Sequence, residues 1–225
     1  KSVYDAMALR ERIIGMFDTA EAEPSEEKKK QLLSFIVVGG GPTGVELACE
    51  IHEFATKTLS CLYSNAIDPM QVTVSLVTAT AELVPMFPQK MRDIAKVELA
   101  KKGIAMHFNK KIIAVDSAGV LDSEGGTISG RNIIWCAGIE PNTPEFSSTT
   151  VALHKSGRII TDEYLRIANY PEIYVIGDVG TICTETCNQL PTLAQVAVAE
   201  GRYLGKSLAG YILTGQKGEP FLYKL

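Results

Sequence analysis

The sequence predicts an α/β fold in which helices wind around a parallel β-sheet and a smaller antiparallel meander lies on that sheet. Three observations support this. Residues 34–102 alternate an apolar run, a helical segment, a second apolar run and a second helical segment, an order typical of parallel strands joined by right-handed crossovers. The first run leads directly into a glycine-rich turn, VVGGGPTG. Residues 104–135 then change to four or five short strands separated by turn signals such as Gly125-Gly126.

The individual elements follow from local patterns. An apolar stripe at helical spacing predicts a helix over residues 2–20, and Ser2 with Asp5 resembles a capping box. Residues 21–31 are charged and contain Pro24, which indicates a solvated connector with room for a short helix. The other predicted elements are strands at 34–38 and 72–78, helices at 44–63 and 91–102, strands near Ile159 and at 174–176, and a final helix at 192–213.

Length and composition narrow the classes of function. The chain has 225 residues, 46% of them hydrophobic, which is enough for one large domain or two modest ones. A net charge of -4 gives no support for a nucleic-acid partner. No apolar run approaches the ~18 residues of a transmembrane helix. Because the sequence begins at Lys1, we expect an excised piece whose membrane anchor, if the parent has one, lies elsewhere.

The cysteines give no strong signal for a bound metal. The five cysteines form no CxxC pair, and the C-x3-C spacing of Cys183 and Cys187 is weak evidence for a ligand set. Free thiols in a reduced, intracellular compartment are the favoured interpretation. No metal ion is therefore predicted.

The glycine-rich turn has the context that a dinucleotide-binding loop requires. Gly39, Gly41 and Gly44 form G-x-G-x-x-G between an apolar strand and a helix. The first glycine permits the sharp turn, the second leaves room for a pyrophosphate, and the third lets the helix pack on the strand. The helix N-terminus adds N–H groups and a dipole that favour an anion. The predicted nicotinamide dinucleotide loop comprises Gly39, Gly40, Gly41, Pro42, Thr43 and Gly44; a turn without a ligand is the less favoured interpretation.

The end of the second strand bears on which dinucleotide is bound. A carboxylate at this position usually holds the adenosine ribose hydroxyls. The sequence instead has Thr78, with Glu82 a few residues later. No Arg or Lys lies close enough in sequence to suggest a clamp for a 2′-phosphate. The residues therefore favour NADH and do not exclude NADPH.

Several segments together resemble a known family. VVGGGPTGVELACE, WCAGIEPN, GRIITDEYLRI, YVIGDVG and LPTLAQVAVAEGRYL occur in the order found in type II, non-proton-pumping NADH:quinone oxidoreductases, which belong to the flavoproteins with two dinucleotide-binding domains. The resemblance covers nearly the whole chain. It implies a Rossmann-like NAD domain at residues 33–145 inserted in an FAD domain, with residues 1–32 as the connecting part and 146–225 as the returning part.

The resemblance also implies that this chain is an internal fragment. The family's earlier glycine-rich loop, which grips the FAD pyrophosphate, and its membrane-anchoring C-terminal region would lie outside it. We therefore expect the fragment to be inactive alone and unable to hold FAD by itself.

The resemblance assigns roles to residues outside the glycine loop. Gly177 and Asp178 match the second flavin motif, with Asp178 accepting a hydrogen bond from the FAD ribityl chain; the residues alone favour a turn with an Asx bond. Ala137 and Gly138 match the segment that closes the nicotinamide domain near the dinucleotide. Glu46, expected in the first helical turn, has two interpretations: a carboxylate favoured by the helix dipole, or a group that helps bind the nicotinamide or passes protons to the reduced flavin.

The last motif concerns the quinone. Ala194, Gln195 and Ala197 match the first half of the family's AQxAxQ motif, so Ala194 and Gln195 are predicted to lie at the flavin and Gln195 also beside the quinone. The second glutamine falls at Ala199. Glu200 follows, but one residue along a helix turns a side chain by about 100°. This departure weakens the prediction of quinone contacts at Ala199.

As a whole, the resemblance implies an FAD-dependent enzyme in which hydride passes from NADH to the flavin and two electrons pass on to a quinone. It implies a peripheral position on the mitochondrial inner membrane or a bacterial cytoplasmic membrane, and it leaves a homodimer open. Two alternatives stand beside it. One is a ferredoxin or disulfide reductase of the same superfamily; the other is an NAD(H)-binding redox sensor of the apoptosis-inducing-factor type, which Ala199 keeps open.

Overall fold

A computed structural model of the chain describes residues 2–143, 150–182, 190–216 and 218–223. The chain divides into two compact units, Lys1–Gly138 and Ile139–Leu225, called unit 1 and unit 2 below. The domain boundaries predicted after residues 32 and 145 stay predictions.

Unit 1 contains most of the regular structure, and every helix and strand predicted in residues 2–102 is confirmed. Its elements are α1 (Val3–Ala22), α2 (Glu26–Leu32), β1 (Ser34–Val38), α3 (Pro42–Glu53), a π-helical turn (Phe54–Leu59), α4 (Ser60–Leu62), a 3-10 turn (Pro69–Gln71), β2 (Thr73–Val77), α5 (Gln89–Lys101), β3 (Ala105–His107), β4 (Ile112–Val115), β5 (Gly119–Asp122), β6 (Thr127–Ser129) and β7 (Asn132–Trp135).

The sheet of unit 1 is parallel, and it corrects the predicted extent of the meander. Its strand order is β3-β2-β1-β7, with Val38 paired in register to both Val77 and Trp135. Only β4, β5 and β6 form an antiparallel sheet. The prediction that residues 104–135 form one meander was therefore wrong for β3 and β7. A short apolar run in the sequence does not indicate which strand it pairs with, because the pairing depends on the crossover connections.

Helix α1 packs against the core of unit 1. Ser2 caps it as predicted, since its hydroxyl accepts the Asp5 N–H at 3.2 Å and its own N–H donates to the Asp5 carboxylate at 2.7 Å. Phe17 is fully buried in a cluster with Phe35 and Ile51. Burying a side chain of this size contributes about 1.5–3 kcal/mol. The assignment of this region to an FAD domain stays a prediction.

The helix after the glycine loop begins earlier than predicted. Pro42 is its first residue, where the fixed φ and the missing N–H of proline suit a helix start. Glu46 consequently lies in the second turn, and the expectation of a first-turn carboxylate was wrong. The helix continues through the π-helical turn, where the Ser60 hydroxyl donates to the Ala55 carbonyl at 2.8 Å.

Unit 2 combines a small mixed sheet with the final helix. Its elements are β8 (Ile159–Thr161), β9 (Arg166–Ile167), β10 (Tyr170–Tyr174), a 3-10 turn (Gly177–Val179), β11 (Gly180–Ile182) and α6 (Ala194–Thr214). The strand order is β10-β9-β8-β11, and β8 and β11 run parallel. The predicted strand near Ile159 and the predicted final helix are confirmed.

The strand predicted at residues 174–176 lies earlier in the chain. β10 ends at Tyr174, where the prediction began. It contains Pro171, which falls in an irregularity of the ladder between Tyr170 and Tyr174. Proline argues against a strand interior when only the sequence is known, but a bulge accommodates it. Within the described ranges, no helix has both the length and the apolar character needed to cross a membrane.

Candidate functional site

The glycine loop joins β1 to α3 in a conformation that its residue types dictate. Gly39 has a φ of 131°, a backbone region that side chains other than glycine rarely adopt. A Cβ on Gly39 would lie 2.8 Å from the backbone nitrogen of Ala137. Gly39 is therefore required both by its own backbone and by the close approach of the segment after β7.

The third glycine of the motif is needed where the helix packs on the loop. A Cβ on Gly44 would lie 1.8 Å from the carbonyl oxygen of Gly39, which is backbone and has no room to yield. Gly44 thus lets the first turn of α3 press against the loop, the role predicted from the sequence.

The second glycine of the motif is open. Gly41 has extended angles, φ −78° and ψ 179°, that any residue adopts. A Cβ built on it meets no atom within 4 Å among the described residues. The packing of unit 1 therefore does not require glycine at this position. The open space lies beside the N-terminus of the twelve-residue helix α3, which has no side-chain cap.

The middle of the loop rests on the segment that follows β2. The Gly40 carbonyl accepts the Val84 N–H at 2.8 Å, and a Cβ on Gly40 would lie 2.6 Å from the Thr78 hydroxyl oxygen. Thr78 is only 5% exposed, and its hydroxyl lies 2.9 Å from that of Thr80. The side chain of Thr78 thus lies under Gly40, and its predicted contact with the ribose stays a prediction.

Val84 is a supporting residue that sequence reasoning missed. It is buried, and its φ is 41°, which for a β-branched residue is a true outlier. Such strain costs about 1–3 kcal/mol and persists only where surrounding structure enforces it. Here the strained backbone directs its N–H at Gly40. No local sequence signal marks this conformation.

The carboxylate that follows β2 has a cationic partner. Glu82 forms an ion pair with Lys96 at 2.6 Å, and both side chains are about one-third exposed. The Lys96 ammonium also lies 5.4 Å from the centre of the Phe108 ring. The Glu82 carboxylate is therefore paired with a lysine of α5 and is not a free carboxylate at the position that usually binds a ribose.

The segment after β7 closes the other side of the loop. The structure brings Ala137 next to Gly39, as the close backbone approach shows. The Trp135 indole N–H donates to the Ala137 carbonyl at 3.0 Å, although the side chain is 52% exposed. Gly138 follows in a left-handed conformation with φ 78°. Trp135 thus braces this turn, a role that the sequence did not indicate.

Unit 2 contains a second glycine turn, built around Gly177 and Asp178. Gly177 has φ 74° and opens the 3-10 turn. Its N–H donates to the Glu200 carboxylate at 2.6 Å, while Asp178 is exposed. Glu200 is only 6% exposed. Burial raises the pKa of Glu200, against the opposing effects of the Gly177 bond and the positive charge of Arg158.

Arg158 supplies the positive charge near this turn. Burial lowers the pKa of Arg158, while the negative charges of Asp178 and Glu200 act in the opposite direction. Its guanidinium donates to the Leu190 carbonyl at 3.4 Å. A partly buried arginine and two carboxylates thus lie together in unit 2.

Helix α6 starts at the predicted quinone motif. Ala194 and Gln195 are exposed in its first turn, and Ala199 is half-buried. The carboxylate of Glu200 is engaged by Gly177, so Glu200 does not take the place of the family's second glutamine.

The C-x3-C pair, the one cysteine spacing considered for a metal, cannot be compared with the structure. Cys183 and Cys187 lie outside the described residues. In the parts that the structure describes, no three His, Cys, Asp or Glu side chains come together in a way that could hold a metal ion.

Comparison with known proteins places this geometry in a family. Residues 8–201 match the family model described as pyridine nucleotide-disulphide oxidoreductase. The chain belongs to this family. The match includes the glycine loop, the Gly177 turn and the start of α6.

Relatives of the chain bear the names that the resemblance predicted. The chain is 31% identical over 232 residues to the type II NADH:quinone oxidoreductase Ndh of Mycobacterium tuberculosis, covering 99% of this chain and 49% of that protein. It is 32% identical over 236 residues to the mitochondrial internal alternative NAD(P)H-ubiquinone oxidoreductase A1 of Solanum tuberosum, covering 100% and 46%. The chain therefore spans about half the length of these curated relatives. The predicted resemblance is confirmed.

A solved structure agrees with the same assignment. The structure of NDH2 from Plasmodium falciparum in complex with NADH matches with a TM-score of 0.64 and 26% identity, covering 81% of this chain and 39% of that one. The predicted fold class is thereby confirmed.

Proposed function

We propose that this chain is part of an FAD-dependent NADH:quinone oxidoreductase that does not pump protons. The observation that carries the proposal is the open face of Gly41, between a glycine that the turn requires and a glycine that the helix packing requires. In a strand–turn–helix of this spacing, the second glycine leaves room for a pyrophosphate to approach the backbone.

The residues of unit 1 fit a nicotinamide dinucleotide. The pyrophosphate would lie against Gly41 and the N-terminus of α3, where backbone N–H groups and the helix dipole favour negative charge. The proposed NAD-binding residues are Gly39, Gly40, Gly41, Pro42, Thr43, Gly44, Glu46, Thr78, Ala137 and Gly138. Glu46 is exposed in the second turn of α3, so its carboxylate is accessible to bound nicotinamide or to solvent protons. NADH is the favoured coenzyme, and NADPH remains an outcome of the binding test.

The residues of unit 2 fit part of a flavin site. Asp178 is exposed at the tip of a turn whose backbone is fixed by Glu200, so its carboxylate is available to accept a ribityl hydroxyl. Gly177, Asp178, Ala194 and Gln195 are the proposed FAD-binding residues. The proposed residues of the two units would hold NADH and FAD, which would supply hydride transfer and the two-electron reduction of a quinone. The chain's own residues bind and orient these groups.

The quinone and the location of the parent protein are inferred from the relatives. Curated relatives are named for quinone or ubiquinone as acceptor, and some of them are named as mitochondrial. Gln195 is the proposed quinone neighbour, and Ala199 marks the position where the family's second glutamine is missing. A peripheral position on the mitochondrial inner membrane or a bacterial cytoplasmic membrane, and a homodimer, belong to this proposal.

Dinucleotide binding can be tested with the chain itself. Trp135 is the single tryptophan of the sequence and is paired in register with Val38, the residue before the loop. NADH bound at Gly41 should therefore quench tryptophan emission by energy transfer. Gly41→Val should abolish saturable quenching, because branched carbons would fill the open space. Gly201→Ala in α6, outside unit 1, is the control and should bind as the wild type does. Unchanged NADH affinity in Gly41→Val would contradict the loop assignment.

The acceptor can be tested with the parent protein. Its flavin is reduced by NADH without oxygen, and a soluble ubiquinone analogue is then added. Rapid re-oxidation supports a quinone reductase and shows that Ala199 is tolerated. A flavin that stays reduced favours the alternative, an NAD(H)-binding sensor or a reductase with another acceptor, for which Ala199 is the specific observation.

A further inference from the structure

The carboxylate of Glu200 is buried and bonded to the backbone of the Gly177 turn, and the proposed function assigns it no role. It is 6% exposed on α6, yet its Oε2 accepts the N–H of Gly177 at 2.6 Å. The two residues are 23 positions apart in sequence. A backbone N–H that donates to an ionised carboxylate forms a charge-assisted hydrogen bond, which is roughly twice as strong as a neutral one.

The contact acts on a three-residue turn that is closed by one backbone bond, from the Gly180 N–H to the Gly177 carbonyl. Gly177 has a φ of 74°, in the left-handed region that glycine adopts readily because it has no Cβ. The three-residue 3-10 turn has no side-chain cap of its own. Glu200 therefore supplies an anchor from outside the turn, and the residue it anchors directly precedes Asp178.

A third group sets the charge of the cluster. The Arg158 guanidinium carries positive charge felt by both Asp178 and Glu200. Buried carboxylates are tolerated where a hydrogen bond and an opposite charge compensate the loss of water. Glu200 has both. The Glu200 carboxyl group thus lies buried in unit 2 against the Gly177 N–H, while the carboxylate of Asp178 is exposed.

We propose that Glu200 is a positioning residue for the flavin: its carboxylate holds the Gly177 N–H and so fixes the direction in which Asp178 presents its carboxylate to the ribityl chain. The flavin part of this inference rests on the proposed function. The hydrogen bond itself is a property of this chain and can be measured without any cofactor.

The first measurement uses the chain labelled with ¹⁵N-glycine and follows the Gly177 amide proton by NMR as a function of pH. A proton donated to a carboxylate should resonate far downfield, and it should move further downfield as Glu200 loses its proton. Glu200→Gln keeps an oxygen acceptor but no ionisation, so the pH dependence should vanish while the signal stays protected from exchange. Glu200→Ala should lose the protection as well. Glu163→Gln, an exposed carboxylate of unit 2, is the control and should change neither.

The second measurement uses the flavin-containing parent protein and determines the FAD dissociation constant. Glu200→Ala should weaken FAD binding by about 10-fold or more, the scale of a lost charge-assisted hydrogen bond. Glu200→Gln should restore most of the affinity, which a role in packing alone would also allow. Positioning further requires that the FAD dissociation constant of the wild type changes over the same pH range as the Gly177 signal and that this change is absent in Glu200→Gln; a wild-type constant that does not follow the Gly177 signal indicates packing.

The outcomes distinguish this inference from the proposed function. A Gly177 signal that does not respond to Glu200 overturns the positioning role. If the wild-type parent binds FAD and Glu200→Ala binds it with the same affinity, the inference is overturned and the proposed function stands. A wild-type parent that binds no FAD overturns the proposed function and the flavin part of the inference together, even where the Gly177 response is present.

Discussion

The glycine loop of unit 1 and the glycine turn of unit 2 are held in place by different kinds of contact. The first is held by backbone contacts: Gly44 against the Gly39 carbonyl, and the Val84 N–H on the Gly40 carbonyl. The second is held by one ionisable side chain, Glu200. A loop fixed by backbone atoms does not depend on a titrating side chain, and it excludes a Cβ at the two contact positions, Gly39 and Gly44. A turn fixed by a carboxylate depends on the charge of that carboxylate.

The largest effect is expected where the backbone contact is tightest. In Gly44→Ala the new Cβ would lie 1.8 Å from the Gly39 carbonyl oxygen, so the loop and α3 must separate. Overpacking of this kind costs about 1–3 kcal/mol and occasionally more. We expect a loss at the top of that range in the free energy of unfolding, measured in urea, together with loss of NADH binding.

Gly41→Ala is the matched control within the same loop. Nothing lies within 4 Å of its new Cβ, and its backbone angles suit alanine. Alanine is a poorer N-cap than glycine, but it also restricts the unfolded chain, so the stability should stay within about 1 kcal/mol. Equal destabilisation by both variants would show that the two glycines do not have the different roles assigned to them.

The next effect concerns pH and distinguishes the two turns directly. Because burial raises the pKa of Glu200, its folded-state pKa exceeds its unfolded one. The stability that it contributes is then fully present below the ordinary glutamate pKa of about 4.3 and is lost as pH rises through the raised value. Glu200→Gln removes this dependence. The difference in unfolding free energy between variant and wild type should therefore shift in favour of the variant as pH rises.

The charged neighbours of Glu200 do not disturb this comparison. Arg158 and Asp178 are present in both proteins, so their own effects largely cancel in the difference. The measurement is a series of urea titrations from acidic to neutral pH. Glu200→Ala, which leaves the Gly177 N–H without an acceptor, should lose about 1–3 kcal/mol. A constant difference between Glu200→Gln and wild type across the series would contradict the assignment.

The two turns also differ in how far the sequence could predict them. Strand β1 was predicted with its observed bounds, and the roles of Gly39 and Gly44 followed from their spacing alone, because strand, turn and helix are consecutive. The Gly177 turn was also located. Its contact with Glu200 was not predicted. Glu200 lies 23 positions later in the sequence, and the periodicity of a helix does not show which segment its buried face contacts.

The support beneath the glycine loop was equally hidden. Val84 and Trp135 contact the loop through backbone atoms or a single indole N–H, and neither belongs to a motif. Thr78 was correctly placed at the end of the second strand, but its burial under Gly40 depends on how the loop folds back. Local patterns thus identified the residues that are proposed to bind the cofactors, and tertiary contacts determined which residues support them.

A smaller effect should come from the hydroxyl under Gly40. Thr78→Val keeps the shape that supports the loop and removes the hydroxyl that bonds to the Thr80 hydroxyl at 2.9 Å and accepts the Thr80 N–H at a long 3.3 Å. The net value of such a bond is about 0.5–1.5 kcal/mol, so unfolding in urea should show a loss of that size. If Thr78 acts through Gly40, NADH affinity should change by less than about 3-fold, well under the ~1.4 kcal/mol of a tenfold change. A larger loss of affinity at unchanged stability would favour direct contact with the ribose.

The smallest effect is expected at the exposed brace of the loop. Trp135→Phe keeps an aromatic ring on β7 and removes the N–H that the Ala137 carbonyl accepts. That carbonyl can bond to water instead, because Trp135 and Ala137 are both exposed, so the stability should fall by at most about 1 kcal/mol. The segment that abuts Gly39 should nevertheless move more freely, which should weaken NADH binding a few-fold. NADH fluorescence measures this affinity without the tryptophan. An affinity equal to that of the wild type would mean that the close approach of Ala137 to Gly39 holds the turn unaided, so that backbone packing alone accounts for the first of the two turns.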